Sequence, residues 1–354
     1  MNSGERPDSC SIHSLSLDQL VLFCQQQNIP KYRAKQIWRW LYVQHASAWD
    51  DMQNLPASLR QQLADNFHIA LPLIVHCAGS PTRTQKLLLQ LPDAERIEVV
   101  IIPARKHATI CVSSQVGCQF HCPFCASGQD GLKRNLTIGE IVQQVLVSLQ
   151  TETNTNSTNV VFMGMGEPFD NYDHVLSSIR IINDHDGLNI GARRITISTC
   201  GIIPGIQRLA GEGLQVELSV SLHAPDNNLR SQIVPANKKY PIEQLLSACN
   251  DYTNHTGRIV TFEYTMIDGT NVSPEQARQL AAILKPLHCR VNLIPLSAVS
   301  EFAGQPAPAQ TAEMFVETLD ASGINATIRA SKGSEVKAAC GQLRQSCPAT
   351  HSAT

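Results

Sequence analysis

Nowhere in this 354-residue chain does an apolar run approach the roughly 18 residues of a membrane-spanning helix, so no membrane partner is expected. Its start, Met1 to Cys10, lacks the basic-then-apolar layout of a secretory leader. There is no surplus of positive charge either: 28 Lys and Arg stand against 30 Asp and Glu, a net charge of −2. A chain-wide nucleic-acid footprint is therefore missing, although basic residues gather locally at Lys31, Arg33, Lys35 and Arg39, at Lys133-Arg134 and at Arg193-Arg194. Hydrophobic residues at 43% with 16% charged describe a folded chain with a sizeable core, and the length suits about two domains. Cysteine is what the chain has in quantity. Twelve of them, scattered and without a leader, argue for a reducing compartment, the cytoplasm, and for metal or catalytic roles over structural disulfides.

Three of the twelve crowd one loop, Cys118-Gln119-Phe120-His121-Cys122-Pro123-Phe124-Cys125. Electron-transfer [4Fe–4S] clusters take four cysteines. Three thiolates at C-x3-C-x2-C spacing grip three irons and leave the fourth without a protein ligand. The alternatives are a zinc site or three unrelated core thiols. Zinc wants a fourth ligand, commonly from a second C-x2-C or Cys/His pair. No such pair follows, and His121 lies inside the loop as a stray candidate. The spacing, with an aromatic just before the last cysteine, resembles the signature of radical S-adenosylmethionine (SAM) enzymes, whose open iron chelates the amino and carboxylate groups of SAM.

Hydrophobic periodicity divides the chain. Residues 1–70 predict a small all-α N-terminal domain with helices over Leu17–Gln26, Tyr32–Val43 and Ala57–Phe67. Trp38, Trp40 and Trp49 concentrate there as core or, beside the basic stripe, as an RNA-binding face. Residues 71–107 form a bridging segment, with a hairpin of Lys86–Leu91 and Arg96–Ile102 around Pro92-Asp93-Ala94. From residue 108 to 343 strands and helices alternate. Strands are expected at Ala108–Val112, Asn159–Met163, Arg194–Ser198, Val216–Leu222, Ile259–Tyr264 and Arg290–Ile294, with a last one at Ala326–Arg329. The intervening helices are Thr137–Gln150, Tyr172–Asn183, Ile203–Ala210, Ile242–Asn254, Ser273–Leu287 and Gln310–Ser322. Six β/α units predict an α/β fold with a parallel sheet, an incomplete (β/α)6 barrel. Residues 344–354 are a tail.

In a β/α barrel the reacting groups gather where strands run into βα loops. The rule selects the cysteine loop after the first strand, then Gly164-Met165-Gly166-Glu167-Pro168, Ser198-Thr199, Ser221-Leu222-His223, and Asn292 on the sixth strand. Each alone is weak, since a strand-end serine is usually a turn residue and a lone histidine usually structural. Together with the cysteine loop they outline one pocket.

Around these positions the chain resembles the RlmN/Cfr family of radical SAM methyltransferases of 23S ribosomal RNA. The resemblance rests on Cys111-Val112-Ser113-Ser114-Gln115-Val116-Gly117-Cys118, Gly164 to Pro168, Ser221-Leu222-His223-Ala224-Pro225 and Ala339-Cys340-Gly341-Gln342-Leu343, and runs from about Tyr32 to Leu343. It implies a [4Fe–4S] cluster on Cys118, Cys122 and Cys125. It also implies SAM bound by Gly166, Glu167, Ser198, Ser221, Leu222, His223 and Asn292. Cys340 would take a methyl group from one SAM; a radical from a second SAM would activate that methyl for addition to adenine. Glu98 matches the family's proton acceptor, and Cys111 the thiol that releases product through a disulfide with Cys340. Without the resemblance Glu98 would read as a solvated strand carboxylate. Cys200, Cys249 and Cys289 find no family role and are expected in the core; Cys10, Cys24, Cys77 and Cys347 are unassigned.

The resulting expectation is C2-methylation of adenosine 2503 in 23S rRNA, with adenosine 37 of some tRNAs as a second target. An external electron donor such as flavodoxin is expected to serve a monomeric enzyme. The nearest alternative is C8-methylation of the same adenosine. A non-catalytic Fe–S RNA-binding protein is the alternative of another class, and the matched pair Cys111 and Cys340 speaks against it.

Overall fold

The computed structural model describes residues 10–151, 157–329, 333 and 336–344; Cys347 lies outside them. The chain opens with β1 (Cys10–Ser11), α1 (Leu17–Gln26), α2 (Tyr32–Tyr42), α3 (Ala57–Asn66) and β2 (Phe67–His68). Helix α1 starts where it does because of a capping box: Gln19 N–H donates to Ser16 Oγ (3.2 Å) and Ser16 N–H to Gln19 Oε1 (2.8 Å). β1 and β2 pair in parallel and tie the two ends of this helical module together.

The bridging segment corrects the two-stranded expectation. It comprises β3 (Leu73–Gly79), β4 (Gln85–Gln90) and β5 (Arg96–Pro103), an antiparallel meander. β5 then pairs with β6 (Ala108–Cys111), so the meander is continuous with the barrel sheet. β3 carries no inside-outside alternation because it is an edge strand whose Leu73, Ile74 and Val75 are all exposed. Periodicity has nothing to register there.

The cysteine loop follows, framed by a short hairpin of β7 (Gln115–Gly117) and β8 (Leu132–Asn135). Then come α4 (Ile138–Thr151), β9 (Thr158–Phe162), α5 (Tyr172–Asn183), β10 (Ile195–Thr199), α6 (Ile203–Ala210), β11 (Glu217–Ser221), α7 (Asn227–Ile233), α8 (Ile242–Thr256), β12 (Val260–Met266), α9 (Pro274–Leu284), β13 (Cys289–Pro295), α10 (Ala309–Ala321) and β14 (Asn325–Ile328). The ten-stranded sheet runs β14-β13-β12-β11-β10-β9-β6-β5-β4-β3, parallel from β6 to β14. This is the incomplete (β/α)6 barrel expected from the alternation. β12 is buried at all seven positions, as a central parallel strand covered on both faces should be. Among the described residues no helix is long and apolar enough to cross a membrane.

The helical module shares its core with the barrel: Leu20, Trp38 and Leu63 belong to the same buried cluster as Ile141, Ile179 and Ile182. Polar contacts fix the seam. Trp38 Nε1 donates to Asp184 Oδ1 (3.1 Å), and Gly139 N–H to Ser14 Oγ (3.0 Å). Trp38 is thus a core residue, while Trp40 donates to Asn54 Oδ1 within the module (2.6 Å).

Candidate active site

Cys118, Cys122 and Cys125 lie between β7 and β8, and the loop closes on itself through Cys118 N–H to Gly131 O (3.1 Å) and Cys125 N–H to Cys122 O (3.0 Å). His121 adopts a left-handed backbone (φ 49°) and donates through Nδ1 to Gly128 O (2.7 Å). It therefore props the loop and is absent from the cavity that the three thiols line. Burial pushes the Cys118 thiol up to about 12 and the Cys122 thiol well above its ordinary value; Cys125 is raised for the same reason. Cys118 and Cys122 also feel neighbouring thiols and Glu167. Such thiols become thiolates only against strong positive charge, which iron supplies. Among the described residues no group of three His, Cys, Asp or Glu side chains is placed to hold a single metal ion.

The cavity lies at the C-terminal ends of the parallel strands, as barrel geometry requires. Past β9, Gly164 and Gly166 are there because nothing larger fits. A Cβ on Gly164 would sit 2.6 Å from Val112 O, and one on Gly166 (φ 98°) 2.5 Å from Gln115 Cβ. Glu167 is buried. Its carboxylate accepts from Phe169 N–H (3.0 Å) and Cys200 N–H (2.7 Å), and its own N–H donates to Gln115 Oε1 (2.9 Å). Burial raises its carboxyl while those two amides pull it down. Gln115 and Gln119 both donate to Asp170 (2.8 Å each), and Asn171 Nδ2 donates to Ser114 O and Leu136 O (2.8 Å each). These bonds fasten the cysteine loop to the loop after β9.

Ser198, Ser221 and His223 line the same cavity. His223 has φ 59°, accepts at Nδ1 from Thr265 N–H (2.9 Å) and meets the Phe124 ring edge-on at 5.0 Å. Burial holds it neutral, its pKa down to about 3. Leu222 and Asn292 are not among the lining residues. Leu222 is wholly buried, donating to Glu263 O (3.0 Å) and accepting from Arg230 Nε (3.0 Å). Asn292 Nδ2 donates to Glu263 Oε1 (3.2 Å) and so stands behind Glu263.

Glu263 escaped the sequence reading because it sits within β12 and not at its end. Its Oε1 also accepts from Ser219 Oγ (3.0 Å), and its Oε2 has no hydrogen-bond partner among the described residues. Arg230 was missed as well: it is fully buried at the base of the strand-end loops. Cys200, expected in the core, packs against it but also lines the cavity, because the chain turns inward after β10.

Cys340 and Gly341 close the cavity. Their segment is pinned by Ala126 N–H to Gly341 O (2.6 Å) and Ser127 Oγ to Leu343 O (2.7 Å). Cys340 also lines a second cavity with Cys111, Ile102, Thr109 and Arg329. It is solvent-exposed, since it stands between two open spaces, and both it and Cys111 are free thiols. Burial, with the neighbouring Cys340, pushes Cys111 up to about 12. Although the Cys340 residue as a whole is exposed, its sulfur is surrounded by protein atoms, and that burial raises the thiol while Arg329 pulls the other way. Glu98 lines neither cavity. It is buried, paired with Lys86 Nζ (2.8 Å), and accepts at Oε2 from Arg344 N–H (2.9 Å), so it is not the solvated strand carboxylate that its position alone suggests.

Known proteins show the same layout. Residues 11–69 match the ribosomal RNA large subunit methyltransferase N-terminal domain, and residues 112–281 match the radical SAM superfamily, whose members use a [4Fe–4S] cluster and SAM. The chain is 43% identical over 336 residues to the probable dual-specificity RNA methyltransferase RlmN of Clostridium novyi, covering 95% of this chain and 98% of that one. It is 46% identical over 336 residues to the protein of that name from Dictyoglomus thermophilum, covering 94% and 96%. The crystal structure of a radical SAM methyltransferase from Sphaerobacter thermophilus superposes with a TM-score of 0.91 at 43% identity, covering 95% of this chain and 99% of that one. The chain belongs to the RlmN family of radical SAM RNA methyltransferases.

Proposed function

We propose that the chain methylates C2 of adenosine 2503 in 23S rRNA, and adenosine 37 of tRNAs, by way of a methyl group carried on Cys340. The observation that carries this reading is the position of Cys340 between two cavities. One holds the cysteine loop and the strand-end residues; the other holds Cys111. A thiol so placed takes a methyl group on one side and passes it to a base held against the other. Cys118, Cys122 and Cys125 would hold the cluster, and Gly166, Glu167, Ser198, Ser221 and His223 would orient SAM. Leu222 and Asn292 support that set from behind. The cluster, when bound, supplies the electron that makes SAM a radical source, and an external donor replenishes it.

Glu98 is the proposed base for the substituted ring. In this arrangement its carboxylate is engaged by Lys86 and by the Arg344 amide, so the 336–344 segment must loosen before Glu98 reaches RNA. The two RNA targets are supported by the name that the relatives carry, dual-specificity RNA methyltransferase. Nucleosides from rRNA and tRNA of cells with and without the gene test the regiochemistry by mass spectrometry. The expected product is 2-methyladenosine in both RNAs, present only with the gene; 8-methyladenosine in its place would overturn the C2 assignment.

RNA docking is assigned to α2 and its approach, where Lys31, Lys35, Arg39 and Tyr32 are exposed and the Arg33 guanidinium lies 5.0 Å from the Tyr32 ring centroid. Removing residues 1–70 would strip the shared core, so charge removal is the sound test. Replacing Lys31 and Arg39 together by Gln should weaken RNA binding severalfold and lower the salt slope by about two phosphate contacts, with SAM cleavage unchanged. Binding that keeps its wild-type salt slope would exclude this face.

A further inference from the structure

We propose that Cys200 is a fourth ligand thiol, which binds the iron left open by the three-cysteine loop when SAM is absent and yields that iron when SAM arrives. The proposal rests on the cluster assignment above and adds a residue to it. Five cysteines line one cavity: Cys118, Cys122 and Cys125 of the loop, Cys200, and Cys340, the proposed methyl carrier. Cys200 is held there from both sides of its backbone: its N–H donates to Glu167 Oε2 (2.7 Å), and its carbonyl accepts from the buried Arg230 Nη2 (2.8 Å). Its thiol is therefore anchored within reach of whatever Glu167 binds.

On that reading the contact would set Cys200 beside the iron left open. Glu167 is the residue assigned to the amino group of SAM, and in radical SAM chemistry this amino group and the adjoining carboxylate occupy the iron that the protein leaves free. A cysteine whose amide is bonded to Glu167 thus borders the same coordination position. Thiolate is the usual ligand of cluster iron, so a free thiol bordering an unfilled iron site is not a bystander.

The exchange balances without electron transfer. As the Fe–S bond forms, the thiol proton passes to the Glu167 carboxylate. When SAM binds, its amino and carboxylate groups take the iron, the Fe–S bond breaks, and the thiolate recovers a proton. The thiol caps the resting cluster against loss of its exposed iron and competes with SAM for it.

The test uses the full chain reconstituted anaerobically with iron and sulfide, as wild type, Cys200→Ala and Cys200→Val, the last filling the space of the lost sulfur. In the reduced, SAM-free state the electron paramagnetic resonance spectra of both variants should differ from wild type, and all three should converge once SAM is added. If the thiol-capped form holds about nine-tenths of the population, its removal should tighten apparent SAM affinity about tenfold. Mild oxidation should convert the variants to a three-iron cluster faster. Identical SAM-free spectra and SAM affinities in all three proteins would overturn the role of Cys200. Reconstituted wild type without bound iron would overturn the cluster assignment itself, and iron content tells the two failures apart.

Discussion

Cys111→Ala protein is expected to accumulate a covalent protein–RNA adduct, while Cys340→Ala protein is inactive and forms none. The asymmetry follows from what each thiol must do. On the proposed mechanism Cys340 would carry the transferred carbon, because a thiolate is nucleophilic enough to accept a methyl group and a sulfur-bound carbon can then be joined to adenine. Once that bond exists, enzyme and RNA are one molecule until the Cys340 sulfur is released. Release needs a second thiol that attacks sulfur on sulfur, and disulfide geometry demands Cα atoms within about 7 Å. Cys111, at the end of β6, and Cys340, distant in sequence, line one cavity, and Cys340 adds to the upward shift of the Cys111 thiol. Burial makes Cys111 a reluctant thiolate, and Cys111→Ser is expected to trap the same adduct, since a hydroxyl cannot form the disulfide that frees Cys340. A nuclease-sensitive band of raised mass on a denaturing gel is the readout. Normal turnover by Cys111→Ala protein with no such band would remove Cys111 from the mechanism.

Helices α1, α5 and α6 stand at the residues the sequence predicts, because their apolar spacing is helical and their ends are marked locally, α1 by the Ser16–Gln19 capping box and α6 by Pro204 in its first turn. The parallel strands were legible for a similar reason: each is a short apolar run bounded by turn residues. The β7–β8 hairpin was not, since its strands hold only three and four residues and mix Gln, Lys, Arg and Asn with apolar side chains. The strand-end rule found the cavity, yet it selected Leu222, which is buried and bonded through its backbone, and Asn292, whose side chain bonds Glu263, and it passed over Glu263 and Cys200, which line the cavity. Ends of strands are visible in a sequence. Which of two neighbouring side chains faces inward depends on where the chain turns after the strand, and that is set by tertiary bonds such as Cys200 N–H to Glu167.

Arg230→Met is expected to cost on the order of 3 kcal/mol of folding stability, because it leaves several buried carbonyl acceptors without a donor. In sequence Arg230 looks like an ordinary surface cation on a short polar helix. In the structure it is fully buried and uses its whole guanidinium: Nε donates to Leu222 O (3.0 Å), Nη1 to Asn237 Oδ1 (2.9 Å), and Nη2 to Cys200 O (2.8 Å) and Ser221 O (2.9 Å). Three of these acceptors are backbone carbonyls at the ends of β10 and β11, in the loops that present Ser198, Cys200, Ser221 and His223. The cation has no ion-pair partner among the described residues. Burial pulls its pKa down to about 10, while the nearby Cys200 and Cys122 thiols act to raise it. Methionine fills the volume but leaves those carbonyls unsatisfied, each at a desolvation penalty of about 1–3 kcal/mol. Arg230→Lys should recover little, because one ammonium on a flexible stem cannot span acceptors arranged for a planar fork. Denaturant unfolding of the two variants checks the stability loss, and iron content after reconstitution checks its consequence, since splayed strand ends no longer wall the cavity. An Arg230→Met protein as stable as wild type and equally able to hold iron would show that the strand ends keep their places without the guanidinium.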